Sequence, residues 1–515
     1  MRSSRQILFV AALTLAWIPG EKASAQFVQQ GNKLVGTGAA GNAQQGFSVA
    51  LSSDGNTAMV GGVFDSSGAG AAWVYTRSGG VWSQQGNKLV ASDALGNAQQ
   101  GSSVSLSSDG NTAIVGGPLD NASVGAAWVF IRGGGTWSQQ AKLVGTGAIG
   151  TLPLIAQGSS VSLSGDGNTA ILGGPGDNYN AGAAWVFTRT GDAWTQQAKL
   201  VGTGAANIAW QGYAVSLSSD GNTAIVGGPW DSSYTGAAWV FTRNGDVWSQ
   251  QARLVGSGVV VSAQQGISVS LSSDGNTVIV GGYGDNGGLG AAWVFTRSGD
   301  VWSQQGDKLV GTGAVGIPIA QGYSVSIASD GNTAIVGGYA DNSHVGAAWV
   351  FNRNGSVWSQ QGLKLVGTGA SGIARQGTSV SLSSDGTTAI VGGDYDNTGV
   401  GAAWVFTQSG SAVGEQTAEV PQQTSLEQNY PNPFNPETRI GYTIAGIRGK
   451  GLGTSDVKLA VYDLLGREVA VLVNEKKAPG NYTATFDAAG LATGVYLYRL
   501  TAGNSIQTCA MLLLK

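Results

Sequence analysis

Several kinds of residue are scarce in this 515-residue chain, and each scarcity excludes something. There is one cysteine, Cys509, so an internal disulfide framework is impossible and stability must come from packing. There is one histidine, His344, and between Gln26 and Gly410 there is no glutamate. Acid–base catalysis in that stretch would have to use aspartate alone. Charged residues make up 11% of the chain, against ~25% in an average globular domain, and the net charge is −4. No basic patch is present, which argues against a nucleic-acid or anionic-membrane partner. Ser, Thr, Asn and Gln must therefore cover the surface. Long apolar runs are also missing. The run at residues 7–18 is too short for a permanent membrane span; it follows Arg2 and Arg5 and precedes Ala23-Ser24-Ala25. That pattern predicts a cleavable export signal over residues 1–25 and a mature start near Gln26.

What is abundant is glycine, 85 in all, and repetition. A unit typified by residues 101–145 occurs seven times. Its Asp-Gly aspartate falls at Asp54, Asp109, Asp166, Asp220, Asp274, Asp330 and Asp385, a nearly constant period. At one fixed interval after each stands the Trp of a Gly-Ala-Ala-Trp segment, from Trp73 and Trp128 to Trp404. Within a unit, Val104 and Leu106 alternate with serines, the period of a half-buried strand. Ser-Asp-Gly-Asn supplies a hairpin turn, and three further short strands follow. Four antiparallel strands in ~55 residues, repeated with fixed turns, predict propeller blades. One such sheet cannot bury both faces alone, so neighbours must stack, with the repeated Trp between them. A fourth-strand Trp appears six times, from Trp82 to Trp358, and the seventh unit lacks it. The mature N terminus supplies the missing strand, with Phe27 where the Trp belongs. The expected architecture is all-β: a seven-bladed propeller over 26–408, closed by its N-terminal strand, with a monomer expected.

A second sevenfold aspartate set, Asp65, Asp120, Asp177, Asp231, Asp285, Asp341 and Asp396, follows the first at a fixed interval, between strands two and three. It is open to two readings, a ring of carboxylates for a cation or polyhydroxylated ligand, and Asx-turns that close the loop. The first set has one carboxylate per loop, whereas calcium takes six to eight oxygens; a hairpin role is expected there, with calcium the alternative and no cofactor otherwise. Unrepeated aspartates such as Asp93, Asp307 and Asp394 have no nucleophile signature around them. Turns one–two and three–four hardly vary, while loops two–three and four–one vary in length and sequence. Antiparallel order puts the variable pair on one face, where binding usually resides. These loops carry Phe64, Tyr179, Trp210, Trp230, Tyr234, Tyr283, Tyr339 and Tyr395. Trp210, Trp230 and Tyr234, with the second aspartate set, are the candidate ligand-binding residues.

The repeats stop near Gln408, and residues 409–424 read as a polar linker with Pro421. Beyond it the composition changes. Val457, Leu459 and Val461 recur at every second position, as do the apolar residues of the segment 494–500. Six or seven short strands over 425–515 predict a small β-sandwich of Ig-like type.

This C-terminal segment resembles the type IX secretion C-terminal sorting domain of Bacteroidota-type bacteria. The resemblance rests on Asn429-Tyr430-Pro431-Asn432-Pro433-Phe434-Asn435-Pro436, Val461-Tyr462-Asp463 with Gly466-Arg467, and Gly494-Val495-Tyr496. It implies the type IX export machinery as a partner of 425–515, removal of the domain at the outer membrane, and surface attachment or release. The repeated unit resembles FG-GAP repeats, the class found in integrin α-subunit propellers, with Gln-Gly (Gln45-Gly46, Gln211-Gly212) in place of Phe-Gly and Gly116-Gly117-Pro118 in place of Gly-Ala-Pro. Three functions remain open from the residues. They are a non-catalytic secreted or surface-displayed module binding a glycan or protein, an Asp-based polysaccharide hydrolase or lyase, and a structural surface-layer protein. The scarcity of acid–base residues favours the first.

Overall fold

The computed structural model describes residues 26–150, 154–206, 208–408, 424–429, 431–445, 455–477, 480–503 and 505–514. The expected export signal and nearly all of the linker lie outside them. The chain divides into two compact units, residues 1–410 and 411–515. Among the described residues no helix is long and apolar enough to cross a membrane.

The first unit is a series of four-stranded antiparallel sheets, seven of them among its described residues, each open and each built from strands adjacent in sequence. A representative sheet runs Ser103–Leu106, Thr112–Gly117, Ala126–Gly133, Thr136–Leu143. One sheet departs from this order. Its outer strand is Phe27–Gln29, which pairs with Ala402–Gln408 in the register Phe27↔Gln408, Val28↔Thr407, Gln29↔Phe406. Elsewhere the same register sets Trp82 opposite Arg77, with the guanidinium 5.4 Å from the indole centroid. The substitution is thus paired, Phe for Trp and Gln for Arg.

The first strand of each sheet would leave a row of backbone N–H groups on its inner edge, which must find acceptors. The alternating serines provide them. Leu163 N–H donates to Ser105 Oγ (3.1 Å), Leu217 N–H to Ser162 Oγ (3.1 Å), and Leu51 N–H to Ser381 Oγ (3.2 Å). At the end of these strands the contacts become backbone to backbone. Ser53 N–H donates to the Ser108 carbonyl, Ser108 to Gly165, Gly165 to Ser219, Ser219 to Ser273, Ser273 to Ser329, Ser329 to Ser384, and Ser384 back to Ser53, all at 2.8–3.1 Å. This circuit of hydrogen bonds returns to its starting residue.

The core lies between sheets. Trp73, Trp128, Trp185, Trp239, Trp293, Trp349 and Trp404 are fully buried. Trp128 packs on Met59, Ala72 and Val74 of the preceding unit. Each indole N–H also has an acceptor, such as the Thr37 carbonyl for Trp73 (2.9 Å) and the Asp93 carboxylate for Trp128 (2.8 Å). Burying ~150–250 Å² at ~25 cal/mol per Å² makes each such side chain worth ~4–6 kcal/mol before entropy. Close approach of the backbones sets the glycine before Ala-Ala-Trp. At Gly70 (φ +77°) a Cβ would lie 2.1 Å from the Gln100 carbonyl oxygen.

The second unit has a three-stranded sheet, Ser425–Leu426, Glu437–Ile444 and Gly480–Asp487, and a four-stranded sheet in the order Glu468–Lys477, Ser455–Tyr462, Gly494–Ala502, Ser505–Leu513. Ile440, Tyr442 and Phe486 of one sheet share a core with Leu459, Val461, Tyr498 and Leu513 of the other. Asn429 is buried, and its side-chain amide donates to the Pro431 carbonyl and to Thr438 Oγ1. The Tyr498 hydroxyl donates to the Glu427 carbonyl and accepts from Asn429 N–H. Asn429 is therefore tied to Tyr498 of that core.

Candidate functional site

The second aspartate set is buried, 0–1% exposed at every member. In each, Oδ1 accepts a backbone N–H from the four–one loop at 2.6–2.8 Å, as Ala40 to Asp65, Leu95 to Asp120, Ile149 to Asp177, Ala206 to Asp231, Val260 to Asp285, Val315 to Asp341 and Ser371 to Asp396. The other oxygen pairs with a cation. Lys88, Lys142, Lys199, Lys308, Lys364 and Lys33 reach Asp65, Asp120, Asp177, Asp285, Asp341 and Asp396 at 2.5–2.7 Å, and Arg253 takes Asp231. Both sequence readings of this set are corrected. The carboxylates do not form an open ring for a ligand, because their acceptors are used internally and they are out of solvent. They do not close Asx-turns either, because the N–H each one accepts comes from the preceding four–one loop, two strands back in the chain. The turn they hold has two successive left-handed residues, such as Ser66 (φ 52°) and Ser67 (φ 60°). Such residues cost ~1–2 kcal/mol each unless anchored.

The Asp-Gly aspartates close their own hairpins. Asp54 Oδ1 accepts from the Ser52 hydroxyl (2.5 Å) and Asn56 N–H (2.9 Å), and Oδ2 from the Asn56 amide (3.0 Å). Asp109, Asp166, Asp220 and Asp274 repeat all three bonds; Thr387 replaces the Asn beside Asp385, and Ala328 removes the hydroxyl beside Asp330. Burial raises the Asp54 carboxyl, but the Ser52 and Asn56 donors outweigh it and hold the group below its usual value. These turn contacts account for the carboxylates without a cation. Among the described residues, no three His, Cys, Asp or Glu side chains are grouped closely enough to hold a metal ion.

The variable face converges on a depression of about 290 Å³ whose lining includes one residue from each unit: Phe47, Ser102, Ser159, Tyr213, Ile267, Tyr323 and Thr378. Each follows a buried Gln-Gly pair. The glutamines, such as Gln45 and Gln100, accept a backbone N–H (Gly36, 2.5 Å; Ala91, 2.7 Å) and fix the four–one loop. The residue before each buried Gln has positive φ: Gln44, Gln99, Ala156, Trp210, Gln264, Ala320 and Arg375. The residue after each Gly-Gly is Val63, Pro118, Pro175, Pro229, Tyr283, Tyr339 and Asp394. These three sets differ from unit to unit, while the positions around them repeat. Apart from Phe47, the aromatic and charged members all belong to units four to seven.

There Trp210 stacks on Trp230 with ring centroids 3.7 Å apart, and Trp230 meets Tyr234 at 5.5 Å. Trp210 and Trp230 are half-buried, whereas Tyr234 is exposed. Tyr323 bridges Tyr283 (5.7 Å) and Tyr339 (4.7 Å), and Tyr339 lies 6.1 Å from His344. Burial pushes the hydroxyls of Tyr213, Tyr323 and Tyr339 up, so they stay protonated. Phe64 and Tyr179 stand exposed on other units. Arg375 lies 4.7 Å from the centroid of Tyr395 and 3.7 Å from Asp394, whose carboxylate also meets the Thr378 hydroxyl at 3.0 Å. Burial raises the Asp394 carboxyl, against the pull of Thr378 and Arg375.

Sequence reasoning missed the buried glutamines and the Asp–Lys pairs. The signal for the pairs was present, since a Lys or Arg follows six of the seven aspartates at a nearly constant interval. It also passed over Arg375 and Tyr323, which become visible only when the units are compared position by position.

Residues 428–514 match the family model for a secretion system C-terminal sorting domain, and residues 82–130 and 194–241 match the FG-GAP repeat. No curated protein matches the chain. Among solved structures it is similar to a GH74 xyloglucanase from Xanthomonas campestris (14% identity, 95% of this chain and 68% of that one, TM-score 0.46). It is also similar to PorZ, a surface component of the type IX secretion system of Porphyromonas gingivalis (13%, 89% and 64%, 0.35), and to the β-propeller domain of a Pyrococcus furiosus protease (8%, 70% and 91%, 0.36). Likenesses this distant transfer no ligand and no activity. The chain is thus a β-propeller-like protein with FG-GAP repeats, whose C-terminal sorting domain directs it through type IX secretion to surface attachment or release.

Proposed function

We propose that residues 26–408 form a seven-bladed propeller closed by its N-terminal strand, and that residues 425–515 form an Ig-like sorting sandwich. The propeller serves as a non-catalytic adhesion or recognition module, binding an extracellular glycan or protein at its variable mouth. The supporting observation is broken symmetry. Seven near-copies keep the same Trp, Gln and Asp–Lys (once Asp–Arg) fasteners, while the mouth positions diverge and collect Trp210, Tyr213, Tyr283, Tyr323 and Tyr339 on one side, with Trp230 stacked on Trp210. A scaffold needs its fasteners repeated; loops also vary by neutral drift, and it is the gathering of aromatic residues on one side that favours a site. Carbohydrate hydrolysis usually requires two carboxylates flanking the scissile bond. Asp394 is the one carboxylate in the three mouth sets, and it is occupied by Arg375 and Thr378.

A glycan array probed with the mature protein tests this reading. Trp230→Ala should reduce the signal without changing the melting temperature much. Trp239→Ala, in the buried repeated set, should instead cost ~3–5 kcal/mol of stability. If both variants lose the same stability, Trp230 is a core residue and the binding face is misplaced.

A further inference from the structure

The mouth positions hold one cation, in the unit that follows the aromatic-rich ones. Arg375 is the one Lys or Arg in the three mouth sets, and its side chain is 37% exposed. Its guanidinium lies against Tyr395, and Asp394, 6% exposed, stands behind it. Among the described residues the Arg375 Nε–H and the Trp210 indole N–H are buried without a hydrogen-bond partner, and both belong to the residue before a buried Gln. A buried donor without an acceptor is destabilising, and a ligand oxygen seated beside it would relieve that.

We propose that Arg375, oriented by Asp394 and Tyr395, is the polar anchor of this mouth and that it takes the oxygens of a neutral sugar ring stacked on the neighbouring aromatics. The inference rests on the reading of the mouth as a binding face and specifies its ligand. Three features select this class. The Asp394 carboxylate cancels the guanidinium charge at 3.7 Å, so an acidic sugar would gain little from Arg375 and be repelled by its partner. The protonated hydroxyls of Tyr213, Tyr323 and Tyr339 can donate and accept, as sugar hydroxyls do. The depression of about 290 Å³ is lined by Tyr213, Tyr323 and Thr378 rather than by Arg375 itself, and Thr378 joins it to Asp394; its volume suits one or two sugar rings, whereas a stable protein partner needs ~800 Å² of surface on each side.

Isothermal titration of the mature chain with cellopentaose, mannopentaose and tetragalacturonate provides the test. A neutral pentaose should bind better than the uronate, and Arg375→Gln should weaken it about tenfold. Asp394→Asn should shift preference toward tetragalacturonate by about fivefold or more, because it uncovers the guanidinium charge. A purely structural role for Asp394 would not produce that shift. If Arg375→Gln melts early, the Asp394→Asn preference decides alone. Loss of binding in Trp230→Ala with full binding in Arg375→Gln would keep the binding face and remove the anchor. A wild-type preference for the uronate, or silence toward all three sugars, would overturn the neutral-sugar assignment, and an array bound only by other ligands would leave the face without it.

Discussion

This chain holds fourteen repeated carboxylates in two ways, seven out of water and seven at exposed turns. Asp65 and its six counterparts are buried on a backbone N–H and a Lys or Arg, while Asp54 and most of its set are held by turn hydroxyls and amides. The second arrangement has a measurable consequence. The carboxyls of Asp54, Asp109, Asp166, Asp220, Asp274 and Asp385 lie below the ordinary 3.8 despite partial burial, because the serine hydroxyl and the Asn or Thr donors favour the charged form. A depressed folded value means the turn adds stability above the unfolded value and loses it as pH falls through the folded one. Carboxyl-carbon NMR titration should therefore place the Asp54 midpoint below 3.8, and Ser52→Ala should move it upward. A midpoint at or above 3.8 in the native protein would show that burial prevails. The two aspartate roles were only half legible in the sequence. Repetition marks a residue as structural, but it does not name its partner. Lys88 and Asp65 are well separated along the chain, on different strands and loops, and only the sheet brings them together.

At the scale of the strand, Phe27–Gln29 bears the most weight per residue. It completes a sheet whose other three strands lie at the far end of the repeat series, and the segment after it adds the Leu34↔Ala403 bridge and the Lys33–Asp396 pair. Gln30 then accepts from Arg77 and from the Trp82 indole, as Gln85 does from Trp137. Removing residues 26–36 should leave Ala402–Gln408 as an unpaired edge and Asp396 as a buried charge without its cation, a loss of ~3–5 kcal/mol from the pair alone. Calorimetry should show a markedly lower melting temperature or aggregation; a truncated chain that melts with the intact one would refute closure by this strand. The pairing of Phe27–Gln29 with the last repeat strand was readable from sequence because six Trp residues appear where seven are due, and Phe27-Val28-Gln29-Gln30 aligns with the missing segment. The inner serines were not readable in the same way. Their alternation marks a half-buried strand, yet nothing in one unit shows that Ser105 serves the backbone of the next.

For the whole molecule the consequential feature is that two units are built separately. The C-terminal core is assembled from residues between Leu426 and Leu513, and the Asn429, Thr438 and Tyr498 network that fixes its motif stays within it. Among the described residues, the core clusters of the first unit are likewise built from its own side chains. A sorting domain that is read by an export machine and then discarded has to be dispensable in this way. The cut should fall in the segment 409–424, whose polar, Pro-containing composition reads as a linker between the two units. Mass spectrometry of native surface or culture material should then find a start near Gln26 and no peptides beyond that segment. A chain lacking 426–515 should fold with the melting temperature of the processed protein but stay in the periplasm. Surface material still ending in Lys515 would argue against processing. Export of the shortened chain would remove the sorting role itself, and a shortened chain that failed to fold would mean that the two cores depend on each other after all.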